Sequence, residues 1–235
     1  MKAPAMKRRD FLAMATMAAT AGYATAAPAD PKLLLPSDTP DKNGFRIMWY
    51  NPVPPIDKRS WRLEVAGLVE KPQRIPLERL LGYAQVEQSS RMKCVQCWSS
   101  RATWGGFRFG ELLDDVKPLA KAKAVRVDCH DKWYEYMSLE EMANPRVLMA
   151  LQMNGEPLSD QHGAPLRIID PSKYGYKSAK LITKITFVEK GEGSMACDIG
   201  PYYSPSGEIL PGYDHPLDLG KGVRKKIAGG EITEY

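Results

Sequence analysis

The chain is poor in residues that would staple or anchor it. Its 235 positions hold four cysteines. That is too few for a disulfide framework in a chain long enough to bury a core unaided, so each cysteine needs its own explanation. No stretch is suited to span a bilayer. Phe11 to Ala27 is 17 residues of mostly small side chains, short of the ~20 apolar residues a span takes. There is no basic arm and no lysine-rich helix, so nucleic-acid binding has little support. There is no internal repeat and no strict alternation of strand with helix, which argues for a mixed α+β domain. No C-x-x-C-H run exists, because Trp98 follows Cys97, and this excludes covalent haem attachment of that kind.

What is present is ordinary globular composition, 43% hydrophobic and 26% charged. The first residues read as an address. Arg8-Arg9-Asp10-Phe11-Leu12 matches a twin-arginine export signal, and Ala24-Thr25-Ala26 offers a cleavage site. Residues 1–26 are therefore expected to be a signal peptide, and the mature protein to be periplasmic. Its removal takes away four positive charges and one negative, leaving +2 of the whole chain's +5.

Residues 27–60 are proline-rich and are expected to run extended. From Trp61 the pattern is domain-like. "WRLEVAGL" alternates as a strand that turns at Gly67, "IPLERLLGY" and "FGELLDDV" suit short helices, and "AKAVRVDC" a strand. Ser138 and Glu141 make a capping box for a brief helix, and Asn154-Gly155 a hairpin turn. "APLRIID" and "AKLITKITFVE" read as two further strands. The expected organisation is one domain over residues 61–190, with 191–235 as a tail that covers it.

Cys94 and Cys97 in "RMKCVQCWSS" admit several chemistries. A four-ligand zinc site needs two more ligands, and Cys129-His130 are the only adjacent candidates. A redox dithiol wants its first cysteine at a helix N-terminus, yet "WSSRATWGGF" does not continue as an amphipathic helix. A structural disulfide through Cys97, Cys129 or Cys197 is allowed in an oxidising compartment. A single thiolate on a soft, high-valent metal is the remaining option, with Arg91 and Lys93 favouring the ionised form of Cys94.

"RMKCVQCW…WGGF" and, downstream, "HGAPLRIIDPSKYGYKSAKLI" resemble the molybdopterin-binding domain of the sulfite oxidase family, most closely its periplasmic methionine-sulfoxide reductase branch. The resemblance covers roughly residues 45 to 190, with a fainter echo at "YDHP". It implies an α+β sulfite-oxidase-type fold and a molybdenum–molybdopterin cofactor, with Cys94 as the one protein ligand to the metal and the catalytic centre. It further implies cofactor binding by His162 and Arg167, by the loop Ser178, Ala179 and Lys180, by Tyr50 and Asn51, and at Cys129, where the reductases carry threonine. An arginine suits this role because guanidinium grips phosphate bidentately.

The departures bear on substrate. The arginine with which sulfite oxidases bind their anion is absent, the aligned triplet here being Met48-Trp49-Tyr50, and Ile47 aligns with an asparagine of the reductases. This points to an apolar mouth for a neutral sulfoxide or N-oxide, with Tyr174, Tyr176 and His215 as further candidates for its wall. With no haem motif in the chain, a separate membrane haem subunit or soluble cytochrome is expected as electron partner. The resemblance also raises a Cys97–Cys129 disulfide at the site.

Overall fold

Alternation sets the first strand. In β1 (Arg62–Gly67) Leu63 and Val65 point inward, and the strand stops at Gly67. Its φ of +87° lies in the left-handed region, and a Cβ there would sit 2.2 Å from the Phe187 carbonyl oxygen. The computed structural model describes residues 40–47, 55–94, 99–199, 203–209, 213–214 and 225–226. Residues 1–26, expected to be a signal peptide, most of 27–60, expected to run extended, and Tyr50, Asn51, Cys97 and His215 lie outside the described residues.

After β1 come β2 (Gln73–Pro76) and α1 (Leu77–Leu81), with Pro76 at the helix's N-terminal boundary. β3 (Gln85–Lys93) and β4 (Ser99–Phe107) form a long antiparallel pair. α2 (Phe109–Val116) buries Phe109, Leu112 and Val116 at helical spacing. β5 (Ala124–Cys129), β6 (Tyr134–Ser138) and α3 (Leu139–Met142) follow. The expected capping box is formed: Ser138 Oγ accepts from Glu141 N at 3.0 Å, and Glu141 Oε2 from Ser138 N at 2.7 Å. β7 (Leu148–Met153) turns through Asn154 and Gly155, at φ +53° and +80°, into β8 (Glu156–Pro157). β9 (Arg167–Ile169), β10 (Ile182–Val188), α4 (Met195–Ile199) and the short pair β11 (Tyr213–Asp214) and β12 (Lys225–Lys226) complete the chain order.

Two sheets result, one mixed and one antiparallel. One sheet has the order β2-β1-β10-β5-β6, with β1 and β10 parallel and the other pairs antiparallel. The other runs β3-β4-β7-β8, with β9 also on β7. β1, β5, β10 and α2 share one apolar cluster with Met149 and Leu151 of β7. Leu148 and Ala150, on the opposite face of β7, belong to a second cluster with Phe45, Met92 and Trp104. The continuous apolar run "LMAL" is therefore a central strand buried on both faces. The α+β class expected from the sequence is the class observed.

The β3–β4 hairpin is the element that the sequence pattern hides. Gln88 and Ser90 are buried positions of β3, and they are polar. They are satisfied internally: Gln88 Nε2 donates to Arg146 O at 2.7 Å, and Arg108 Nη1 donates to Gln88 Oε1 at 3.0 Å. β6 is masked in the same way, because Glu135 occupies one of its buried positions.

Candidate functional site

Three backbone segments meet where β3 ends. Cys94 directly follows β3, and the chain is back in a strand by Ser99. It is half-buried and packs against Tyr174, Ile209, Tyr176 and Tyr203. The turn Gly175–Lys177 lies on the end of β3. Lys93 and Tyr174 form an isolated bridge, and a Cβ on Gly175 would stand 3.4 Å from the Lys93 carbonyl oxygen. The third segment is the start of β9. Arg167 Nη2 donates to Met92 Sδ at 3.7 Å, and Arg167 bridges to Lys180 through backbone. Cys94, Arg167 and the 175–180 loop are thus brought to one end of the second sheet.

Arg167 is the electrostatic anomaly. It is 4% exposed, with Nη1 donating to the His162 carbonyl at 2.9 Å and the guanidinium carbon 5.0 Å over the Trp104 ring. Its Nε has no hydrogen-bond partner, and no carboxylate pairs with it among the described residues. Burial alone pushes its pKa down to about 9. Burial and the Arg167 charge likewise push Lys180 down to about 7. An uncompensated buried cation is costly, so this corner is built for an anion.

His162 is oriented by a residue that the sequence did not flag. Its Nε2 lies 2.7 Å from Asp41 Oδ2, and its ring stands edge-on to Phe45 at 5.5 Å. Burial lowers the His162 pKa, so the neutral imidazole donates from Nε2 to the carboxylate. Burial alone would raise Asp41, yet hydrogen bonds from Phe45 N, His162 and Asn43 N outweigh it and hold the carboxyl below its ordinary range. The signal in "DKNG" is only that of a turn. Nothing in it points to a histidine so far along the chain.

Gly163 lets the His162 turn reach the Lys180 loop. Its φ is +98°, a Cβ would fall 2.4 Å from Lys180 Cβ, and Leu181 N donates to its carbonyl at 3.2 Å. Gly163→Ala is expected to cost about 1–3 kcal/mol of stability, read as a lowered urea midpoint with unchanged m-value.

The other expected residues are placed as follows. Ser178 is buried, and its Oγ accepts from Asp170 N at 3.3 Å, so it braces its own loop. Ala179 is a core residue whose carbonyl accepts from Ile168 N at 2.8 Å. Cys129 is buried at the end of β5; burial pushes its thiol well up, and the Lys180 backbone N–H donates to it. The Cys97–Cys129 disulfide is not formed: Cys129 is a free thiol, turned into the core. Among the described residues, which do not include Cys97, no cluster of three or more His, Cys, Asp or Glu side chains could hold a metal. Alternation along the chain turns Cys129 inward while His130 is exposed.

Beneath the loop lies a buried ion pair without a sequence signal. Lys177 Nζ stands 2.8 Å from Glu135 Oε2 and donates to Tyr136 O at 2.8 Å and Gly193 O at 3.3 Å. A cavity of 780 Å³ is lined by Glu141, Asp170, Lys173, Glu192 and Glu208 among others, and by none of the expected site residues. No helix among the described residues is long and apolar enough to cross a membrane.

Comparison with known proteins gives the family. Residues 50–196 match the family described as oxidoreductase molybdopterin binding domain. The protein-methionine-sulfoxide reductase catalytic subunit MsrP of Xanthomonas axonopodis pv. citri is 35% identical over 186 residues, covering 72% of this chain and 58% of that protein. Its namesake in Burkholderia mallei is 32% identical over 220 residues, 81% of this chain and 66% of that one. The chain therefore spans less than two thirds of the length of these relatives. Among solved structures, the sulfane dehydrogenase SoxCD of Paracoccus pantotrophus superposes with a TM-score of 0.59 at 19% identity, over 72% of this chain and 50% of that one, a likeness of fold. The segments that converge on Cys94, Arg167 and Lys180 all fall within the matched span, and the chain belongs to the molybdopterin-binding oxidoreductases of the sulfite oxidase family.

Proposed function

We propose that the chain is the catalytic part of a periplasmic molybdenum–molybdopterin oxidoreductase that reduces a sulfoxide, with methionine sulfoxide as the leading substrate. The overall change adds two electrons and two protons to the S-oxide and yields a thioether and water. The electrons come from a separate membrane haem subunit or soluble cytochrome. The observation that carries the reading is Arg167, a buried guanidinium whose Nε is unpaired and which faces no carboxylate among the described residues. A pterin phosphate is the anion such a group fits, by charge and by fork geometry. The names of the relatives support the sulfoxide, and the twin-arginine motif supports the periplasm.

The residues divide the work. Cys94 supplies the thiolate. Arg167 and Lys180 hold the phosphate end, His162 is aimed by Asp41, and Ser178 and Ala179 fix the loop that carries Lys180. Tyr50, Asn51 and Cys129 are assigned to the same cofactor from the family resemblance. When bound, the group supplies the redox-active metal for oxygen-atom transfer.

The test is composition and turnover together. Protein made in a host that synthesises molybdopterin should carry close to one molybdenum per chain, and should reduce methionine sulfoxide with a reduced dye as donor. Absence of the metal, or turnover of sulfite alone, overturns the proposal.

A further inference from the structure

The segment 203–209 is built into the site rather than trailing from it. Tyr174 N donates to Gly207 O at 2.8 Å and Ile209 N to Ser172 O at 3.0 Å. Tyr176 Oη donates to Ser204 O at 2.7 Å. These bonds clamp residues 203–209 onto residues 172–176, the stretch that also lies on the end of β3. The result is an aromatic assembly beside Cys94. Tyr176 stacks near-parallel on Tyr174 at 6.3 Å, and Tyr203 meets Tyr176 edge-on at 4.9 Å. Ile209 and Tyr174 form the buried base on which Cys94, Tyr176 and Tyr203 pack, and these last three stay partly open to solvent.

Two lysines that flank this assembly are already paired with carboxylates. Lys173 Nζ lies 2.8 Å from Glu141 Oε1 and 3.7 Å from Glu208 Oε1. Lys177 is spent on Glu135, and Arg91 donates to Ser99 Oγ at 2.9 Å. At the aromatic face itself a small dianion meets flat rings, and Lys173 and Lys177 are already paired with carboxylates. A methyl thioether S-oxide meets surfaces that contact its methyl and methylene groups and its polarisable sulfur.

We infer that Tyr203, backed by Tyr176 and Ile209, is a specificity-determining wall beside Cys94 that selects an uncharged S-oxide carried on an apolar side chain over a small oxyanion. The inference rests on the sulfoxide-reductase reading and adds to it a residue outside the span that matches the family.

The experiment uses the molybdenum-loaded full chain, its Tyr203→Phe and Tyr203→Leu variants, and two non-reducible probes. N-acetylmethionine sulfone stands for the substrate side chain, and sulfate for the oxyanion; calorimetry reads binding and elemental analysis confirms that metal content is unchanged. Wild type should bind the sulfone and prefer it to sulfate. Tyr203→Phe should stay within roughly threefold of wild type, whereas Tyr203→Leu, which keeps apolar bulk but loses the flat ring, should lose about tenfold in sulfone affinity and none for sulfate. On methionine sulfoxide the same loss should appear in KM with little change in kcat. Wild-type preference for sulfate, or equal sulfone binding by Tyr203→Leu, overturns the wall. If sulfone binding follows Tyr203 and no sulfoxide is turned over, the wall stands and the reductase reading falls.

Discussion

Arg167→Met is expected to make the cofactor-free chain more stable while it impairs retention of the cofactor. In the free protein the guanidinium is buried, its Nε is unpaired, and its other contacts are a carbonyl, a thioether and the face of Trp104. Replacing it by an apolar side chain of similar length removes that desolvation cost at the loss of one neutral hydrogen bond. The balance favours the variant by about 1–2 kcal/mol. With the phosphate in place the sign reverses, and cofactor retention should fall ~10–100-fold. Arg167→Lys should not rescue it, because a point charge cannot make the bidentate contact. Urea unfolding of the cofactor-free chains reads the first effect, and molybdenum and pterin content read the second. Ordinary destabilisation of the free chain by Arg167→Met would show that the arginine is only a packing residue.

The largest loss of stability is expected at Lys177→Met, about 3–5 kcal/mol. Glu135 is fully buried, and its partners are Lys177, Trp133 Nε1 at 3.1 Å and Ser194. Burial pushes its carboxyl up to about 8 against the pull of these groups. Removing the lysine leaves a charge that must be desolvated alone or neutralised by a proton. The pH dependence follows from the raised folded pKa. The contribution of Glu135 is fully present below its ordinary carboxylate range and is lost as pH rises through about 8. The variant's deficit should therefore be small from pH 5 to 7 and reach its full size only as pH rises past about 8. This is opposite in sign to Asp115, which Arg79 holds below its usual range. Glu135→Gln/Lys177→Met should recover most of the loss, since an uncharged pair leaves no buried ion. Thermal and urea melts across pH decide it; a pH-independent deficit would mean that Lys177 acts through packing alone.

What could be read in advance depended on whether a residue's job matched its place in the fold. β1, α2, β7 and the Ser138 cap were legible because apolar spacing and turn chemistry agree with burial there. The β3–β4 hairpin was not, because Gln88 and Ser90 are buried yet polar, and their cost is met by Arg108 and by the Arg146 carbonyl, partners that no local pattern reveals. At the site, Cys94, Arg167 and Lys180 could be picked out through family motifs, and the fold brings their segments together. Asp41, Glu135 and Tyr203 could not: each gains its meaning from a residue far along the chain, His162, Lys177 and Cys94 respectively. Cys129 follows the alternation of Val125 and Val127 into the core. Its strand position turns it inward, while the motif comparison had only placed it near the cofactor.

The parallel pairing of β1 with β10 also has a bearing on how the chain is made. Glu64 to Gly67 align with Lys184 to Phe187, so the first strand of the domain has its central neighbour only after nearly all of the domain has left the ribosome. Until then β1 can pair only with β2 and presents an open edge. Such long-range closure is slow and exposes strand edges while it waits. Nascent chains of this protein thus pass through a stage in which their earliest strand is sticky and their latest strand does not yet exist, and holding them soluble through that interval falls to the cell rather than to the fold.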